Sequence, residues 1–338
     1  MIQLIIAGAL ALLIIAAVAA PLEALGWWAG WFGRDRNLET AKKQFLAAAT
    51  DGAPVASDAK HFLVYLTGIG SATGDELMPE EMPLIEYLEA HLPGTVLVHD
   101  IFPYSVLNEG LTGERIFSKF WKFQDRVRME KHNPLLGFLI NIRNLFQVGV
   151  SADSRYGPVY HLGVAKEIVL NLLRHGYRPG SGVPVTLMGS SGGGQVALGV
   201  VPYLALALHA PIQIVSLGGV MSGDPAGAKY VTKIEHLGGS KDPVPKLVRY
   251  AFPARWPINK WSEWNKAVAQ GKYTEEIIGP MTHTGPKSYF DANSFLPNGQ
   301  SYMERAGEAV VAAIARMGLP TLTTSQPEPD SGLPLAQT

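Results

Sequence analysis

The stretch "VTLMGSSGGGQVALG", residues 185–199, decides how this chain is read. An apolar, β-rich run enters two serines and three glycines, and a second apolar run leaves them. Three chemistries use such a turn. A phosphate-binding P-loop needs a lysine and a hydroxyl after the last glycine, but Gln195 and Val196 stand there. A dinucleotide site is met in spacing by Gly192, Gly194 and Ala197. It also needs an acid at the end of the next strand, and "VSLGGV" offers none before Asp224. The third reading is G-x-S-x-G, carried by Gly189, Ser191 and Gly193. A serine forced into a sharp strand-to-helix turn leaves no room for side chains two residues away on either side. Its Oγ then projects above the sheet, and the Gly192 N–H at the helix start can face an oxyanion.

Such a serine needs a base, and the base needs an acid. Asp242 in "GGSKDPV" follows a predicted strand, and Asp224 in "SGDPAG" is an alternative acid. Of nine histidines only His283, in "GPMTHTGPKSYF", lies beyond Asp242. It follows another predicted strand and precedes the last helix. His99 is read as structural or cleft-lining, and His236 as packed within its strand.

In this order the chain resembles the α/β-hydrolase superfamily, whose triads run Ser, then Asp or Glu, then His. The resemblance spans roughly residues 60–318 and is specific at the elbow, the Asp242 turn and His283. It implies Ser191 as nucleophile, His283 as base and Asp242, or else Asp224, as the acid. It also implies a second oxyanion donor in "TGIGS" after the first core strand, the N–H of Ile69 or Gly70. Family members often carry His-Gly there; this chain has Thr67-Gly68.

The rest of the body has the matching rhythm. Strands are predicted at 61–66, 94–101, 183–189, 212–220, 231–239 and 274–282, and helices at 80–92, 157–177, 193–208 and 301–318. Alternation of this kind implies an α/β fold with a mostly parallel sheet covered by helices on both faces. On the helix at 157–177, Val159, Leu162, Ile168, Val169, Leu172 and Leu173 form the expected apolar face. Two stretches break the rhythm and read as cap insertions, 102–156 and 243–273. The first interleaves six Lys or Arg with aromatics between 115 and 132 and continues into "NPLLGFLINIRNLFQVGV". The second carries Trp256, Trp261 and Trp264.

Composition narrows the function classes. A net charge of −1 and 47% hydrophobic residues argue against a nucleic-acid partner and for a large core. The chain has no cysteine, which excludes disulfides, thiolate metal sites and a Cys nucleophile. No metal or cofactor is expected. From Ile2 to Leu22 no residue is charged, about the ~20 residues that span a bilayer, and Trp27, Trp28 and Trp31 suit an interfacial belt. Residues 1–33 are therefore read as a transmembrane anchor, 34–60 as a linker, 61–318 as the hydrolase-like domain and 319–338 as a disordered tail. Arg34, Arg36, Lys42 and Lys43 follow the span and lean the body toward the cytoplasm.

The expected function is a membrane-anchored serine hydrolase acting on an ester or thioester with a hydrophobic acyl group under a tryptophan-bearing cap. Two alternatives stay open: a non-catalytic membrane-tethered scaffold of the same fold, whose three side chains would not converge, and a nucleotide-cofactor oxidoreductase. The sequence does not give the oligomeric state.

Overall fold

A computed structural model describes residues 20–22, 24–26, 29, 59–71, 77–106 and 134–319. Most of the uncharged N-terminal run, the basic aromatic stretch and the C-terminal tail fall outside them. Among the described residues no helix is long and apolar enough to cross a membrane.

The strands are β1 (His61–Leu66), β2 (Thr95–Val98), β3 (Val185–Ser190), β4 (Ile212–Leu217), β5 (Lys233–Gly239) and β6 (Tyr273–Gly279). They form one parallel sheet in the order β2-β1-β3-β4-β5-β6. Every residue of β1, β3 and β4 is buried, as expected of strands covered on both faces. The side-chain period of two divides β1 between two cores. Phe62, Val64 and Leu66 face one; Leu63 and Tyr65 face the other.

The first core is closed by α2 (Pro134–Ala152), α3 (Gly157–Arg174), α4 (Gly193–Leu208), α5 (Pro225–Tyr230) and α7 (Glu263–Ala269). The second is closed by α1 (Met82–His91) and α8 (Tyr302–Arg316). A Ser301–Glu304 capping box starts α8, and Gly318 follows it at φ +75°, the left-handed turn that ends many helices. Between β5 and α7 run α6 (Val244–Ala251) and a 3₁₀ turn, Pro253–Arg255.

Three expectations need correction. On α3 the expected Ile168 and Leu172 are buried and Val159 and Val169 pack against the first core, but Leu162 is 45% exposed while Tyr160 and Val164 are buried. Polar side chains rotate the helix inward: Tyr160 donates to the Pro103 carbonyl, and His161 is hydrogen-bonded to Ser151. Satisfied in this way, they can be buried in place of leucine. The described part of the first insertion is not a cap alone: Asn141 of α2 lines the cleft, but the segment also enters the body. Phe102 and Tyr104 form a third apolar cluster with Ile140 and Val148 of α2. Nor does the second insertion share a tryptophan face: Trp264 is buried against the first core, and Trp256 and Trp261 stand in water.

At Ala20 and Ala24 the chain already touches the body. Both are buried in the first core, and Gln147 of α2 donates to the Ala20 carbonyl at 3.3 Å.

Candidate active site

In this sheet β1 is followed by β2 on one side and β3 lies on the other. Such a switch in direction opens a crevice at the carboxyl ends of the strands. The crevice holds the turn from β3 into α4 and the loop Thr67–Ser71 after β1. Ser191 has φ +48°, a left-handed conformation costing about 1–3 kcal/mol for a non-glycine residue. Backbone bonds hold it there: its N–H donates to Leu217 O, and its carbonyl accepts from Gly194 and Val220.

Sterics account for the glycines. A Cβ on Gly189 would stand 2.6 Å from the backbone N and Cα of Gly194. One on Gly193 would strike the Leu66 and Thr67 carbonyls, and one on Gly192 would lie 2.7 Å from Val148 Cγ2. Ser190 ends β3 and is buried.

His283 reaches Ser191 from the loop after β6. Its Nε2 lies 2.9 Å from Ser191 Oγ, and its Nδ1 lies 2.9 Å from Asp242 Oδ2. The carboxylate accepts from Nδ1–H, which fixes the tautomer that leaves Nε2 free to take the serine proton. Asp242 is buried on the turn after β5 and also accepts from Tyr289 OH at 2.8 Å and Val244 N–H at 2.9 Å. Burial alone would raise its pKa. The bond and charge of His283, with the Tyr289 and Val244 bonds, outweigh that and hold the carboxyl below its ordinary value. Burial, the Asp242 charge and the bond it makes to Asp242 push the Tyr289 phenol up, so it stays a donor. Gly239 N–H donates to the same phenol oxygen. Gly218, at φ +56°, makes room: a Cβ there would lie 2.6 Å from the Tyr289 ring.

Asp224 is placed elsewhere. It caps α5 by accepting from Gly227 N–H at 2.7 Å, and burial raises its pKa. Among the described residues it makes no bond to His283, so Asp242 is the acid of this relay. His99 does not line the cleft, and His236 is buried in β5, bonded to Ser216.

The loop Thr67–Ser71 closes over the nucleophile. A Cβ on Gly68 would lie 3.5 Å from Ser191 Cβ, and Ile69 packs its Cγ2 beside Gly192. Among the described residues the N–H groups of Ile69 and Gly192 have no acceptor. Gly70 faces Met78, whose sulfur would lie 3.2 Å from its Cβ.

Groups outside the sequence motif hold this loop. Asn144 of α2 donates from Nδ2 to both Ile69 O and Ser71 O, 2.7 Å each, while Arg143 donates to its Oδ1. Tyr104 OH donates to Thr67 O at 2.8 Å. Buried Glu81 accepts from Tyr65 OH and Thr67 Oγ1 at 2.7 and 2.6 Å. Burial raises the Glu81 pKa despite the Thr67 and Tyr65 bonds. The carbonyls of Thr67, Ile69 and Ser71 are thus tied back, which keeps their negative ends from an anion at Ser191. A signal for Asn144 does exist in the sequence. Asn141, Asn144, Gln147 and Ser151 recur every three or four residues along an apolar helix, the stripe of one helical face.

The cleft above Ser191 measures about 810 Å³, within the range of small-molecule sites. Ile69, Met78, Pro83 and Phe290 supply apolar walls, and Asn141 and Asn293 polar ones. No tryptophan lines it among the described residues, contrary to the expected cap. Nor do those residues hold a cluster of three or more His, Cys, Asp or Glu arranged for a metal. Comparison with protein-family profiles, curated proteins and solved structures finds no match to this chain.

Proposed function

We propose that this chain is a membrane-anchored serine hydrolase of α/β-hydrolase-like fold, cleaving a carboxylic ester or thioester. The observation that carries the reading is the relay Ser191–His283–Asp242, two 2.9 Å contacts ending on a serine held at φ +48°. Hydrogen-bonded nucleophile, base and orienting acid are the arrangement that activates a serine. Strand ends supply the three groups in chain order: β3 the serine, β5 the acid, β6 the histidine. That order supports the family resemblance.

The chemistry follows from the placement. Ser191 Oγ attacks the carbonyl carbon as its proton passes to His283 Nε2, and Asp242 stabilises the imidazolium. The carbonyl oxygen becomes an oxyanion facing the N–H of Gly192 and the N–H of Ile69 or Gly70, at the positive end of α4. Collapse breaks the bond to the alkoxide or thiolate, which takes the proton from His283. Water then repeats the sequence on the acyl-serine. Ile69, Met78, Pro83 and Phe290 give a hydrophobic acyl chain its surface.

Convergence of the three side chains favours catalysis over the scaffold alternative. The oxidoreductase alternative has no such support, because β4 ends at Leu217 without an acid and Asp224 serves as a helix cap. A series of model esters of increasing acyl length tests the reading. Turnover that rises with chain length and vanishes in Ser191→Ala is expected; equal rates in both proteins would overturn it.

A further inference from the structure

The second insertion exposes large apolar side chains on an ordered backbone. Trp261 is 82% exposed, Ile258 80%, Tyr250 74% and Leu247 65%. This is not slack chain: Asn265 Nδ2 donates to the carbonyls of Trp256 and Asn259, and the Trp256 indole N–H donates to Tyr250 O. Holding four such groups in water opposes the hydrophobic effect, and a cluster of this kind marks a contact surface.

Its charge is one-sided. From 241 to 261 the only acid is Asp242, buried and committed to His283. Lys241, Lys246 and Lys260 are exposed, with no ion-pair partner among the described residues. Tryptophan, tyrosine and aliphatic residues interleaved with lysine suit an anionic lipid surface, rings among the headgroups and ammonium groups at the phosphates.

Position points the same way. Val244 and Val248 of α6 pack against the cluster of Ile140 and Val148 of α2. On its water side α2 shows Phe138 and Leu145, each 51% exposed. The same helix receives the end of the uncharged N-terminal run through Gln147 and Ala20. A bilayer holding that run would therefore lie close to the face.

We infer that α6 and the loop after it, residues 244–261, form a second membrane contact that lies on anionic lipid and orients the cleft toward the bilayer. This rests on the membrane part of the proposed function and not on the catalytic part. The absence of cysteine makes the test direct: full-length Ile258→Cys takes a single environment-sensitive fluorophore. Leu206→Cys, in the exposed last turn of α4 toward the amino ends of the strands, is the control.

On phosphatidylcholine vesicles containing phosphatidylglycerol, the label at 258 should shift to shorter wavelength and lose access to an aqueous quencher. The label at 206 should do neither, and Lys246→Glu with Lys260→Glu should abolish the shift at 258. Vesicles that float with bound protein while 258 is quenched like 206 would overturn the inference and leave anchoring intact. Protein that does not float with the vesicles would overturn both. Shielding of 258 in detergent without vesicles would also overturn it. If dependent on protein concentration it would mark a second copy of the chain, and if independent an internal contact.

Discussion

Two segments of this chain have nearly the same flavour in sequence, apolar and aromatic, yet fold to opposite ends. Residues 134–152 become a helix that enters the body and supports the loop Thr67–Ser71. Residues 244–261 lie on the surface with Trp261 and Ile258 in water. The difference lies in their polar residues. In α2 the uncharged Asn144, Gln147 and Ser151 are buried on one face, where Asn144 bonds to the loop Thr67–Ser71 and Ser151 to α3. In the second segment the polar residues are mostly Lys and Arg, which are seldom buried unless paired. Arg255 is the exception, buried because its guanidinium donates to Met221 O and stacks on Trp264; otherwise only Val244, Pro245 and Val248 turn toward the body there. Whether an apolar segment is core or surface depends on what its polar neighbours can bond to.

Neither segment supplies the reacting atoms, so the largest effects should lie outside both. Ser191→Ala or His283→Ala should lower kcat by roughly 10⁵–10⁶, and Asp242→Asn by about 10⁴. Asp224→Asn should keep near-normal turnover, with at most about 1 kcal/mol lost through the α5 cap in chemical unfolding. Comparable loss of turnover in the two Asp variants would reverse the assignment of the acid.

The next effect tests whether the first segment serves catalysis. Asn144→Ala and the isosteric Asn144→Asp both lose the two donated bonds, and each should lower kcat by about 10–100-fold with little change in KM. A role in packing alone would spare the Asp variant. Tyr289→Phe removes a donor to the Asp242 carboxylate and should lower kcat about tenfold. It should also move the acid limb of the pH–rate profile upward.

Most of the sheet was legible in the sequence because its strands are short apolar runs bounded by glycine, proline and polar residues. The elbow was legible for a related reason. Its glycines answer clashes within a few residues, as with Gly189 against Gly194, so the constraint is written locally. Tyr289, Glu81 and Gly218 act on partners brought by other elements, and no local spacing names them; the polar stripe of α2 marks the face of Asn144 but not its partners. Asn144 bonds residues 73 and 75 positions earlier. On α3 it was Leu162 that departed from the expected face, because counting leucines ignores a tyrosine and a histidine whose polar atoms find partners inside.

Acid should separate the two segments again. Burial lowers the pKa of His61 to about 4, of His161 to about 3 and of His236 to about 4. Folded values below the ordinary 6.5 mean that unfolding takes up protons on acidification. Stability is therefore full above about pH 6.5 and falls as pH drops toward 4, by at most about 1.4 kcal/mol per pH unit for each histidine. His161 ties α3 to Ser151 at the end of α2. Hydrogen exchange at pH 5 should thus rise in 134–152 before 244–261; the reverse order would contradict this. The smallest effect belongs to the surface: Trp261→Ala should leave turnover of a water-soluble ester unchanged.

The central claim is that Ser191 is a nucleophile activated by His283. A fluorophosphonate probe on the full-length protein, followed by peptide mass analysis, tests it most directly. A single adduct on Ser191, absent from Ser191→Ala and strongly slowed in His283→Ala, is the expected result. Equal labelling of wild type and Ser191→Ala, or an adduct on Ser190 instead, would contradict it.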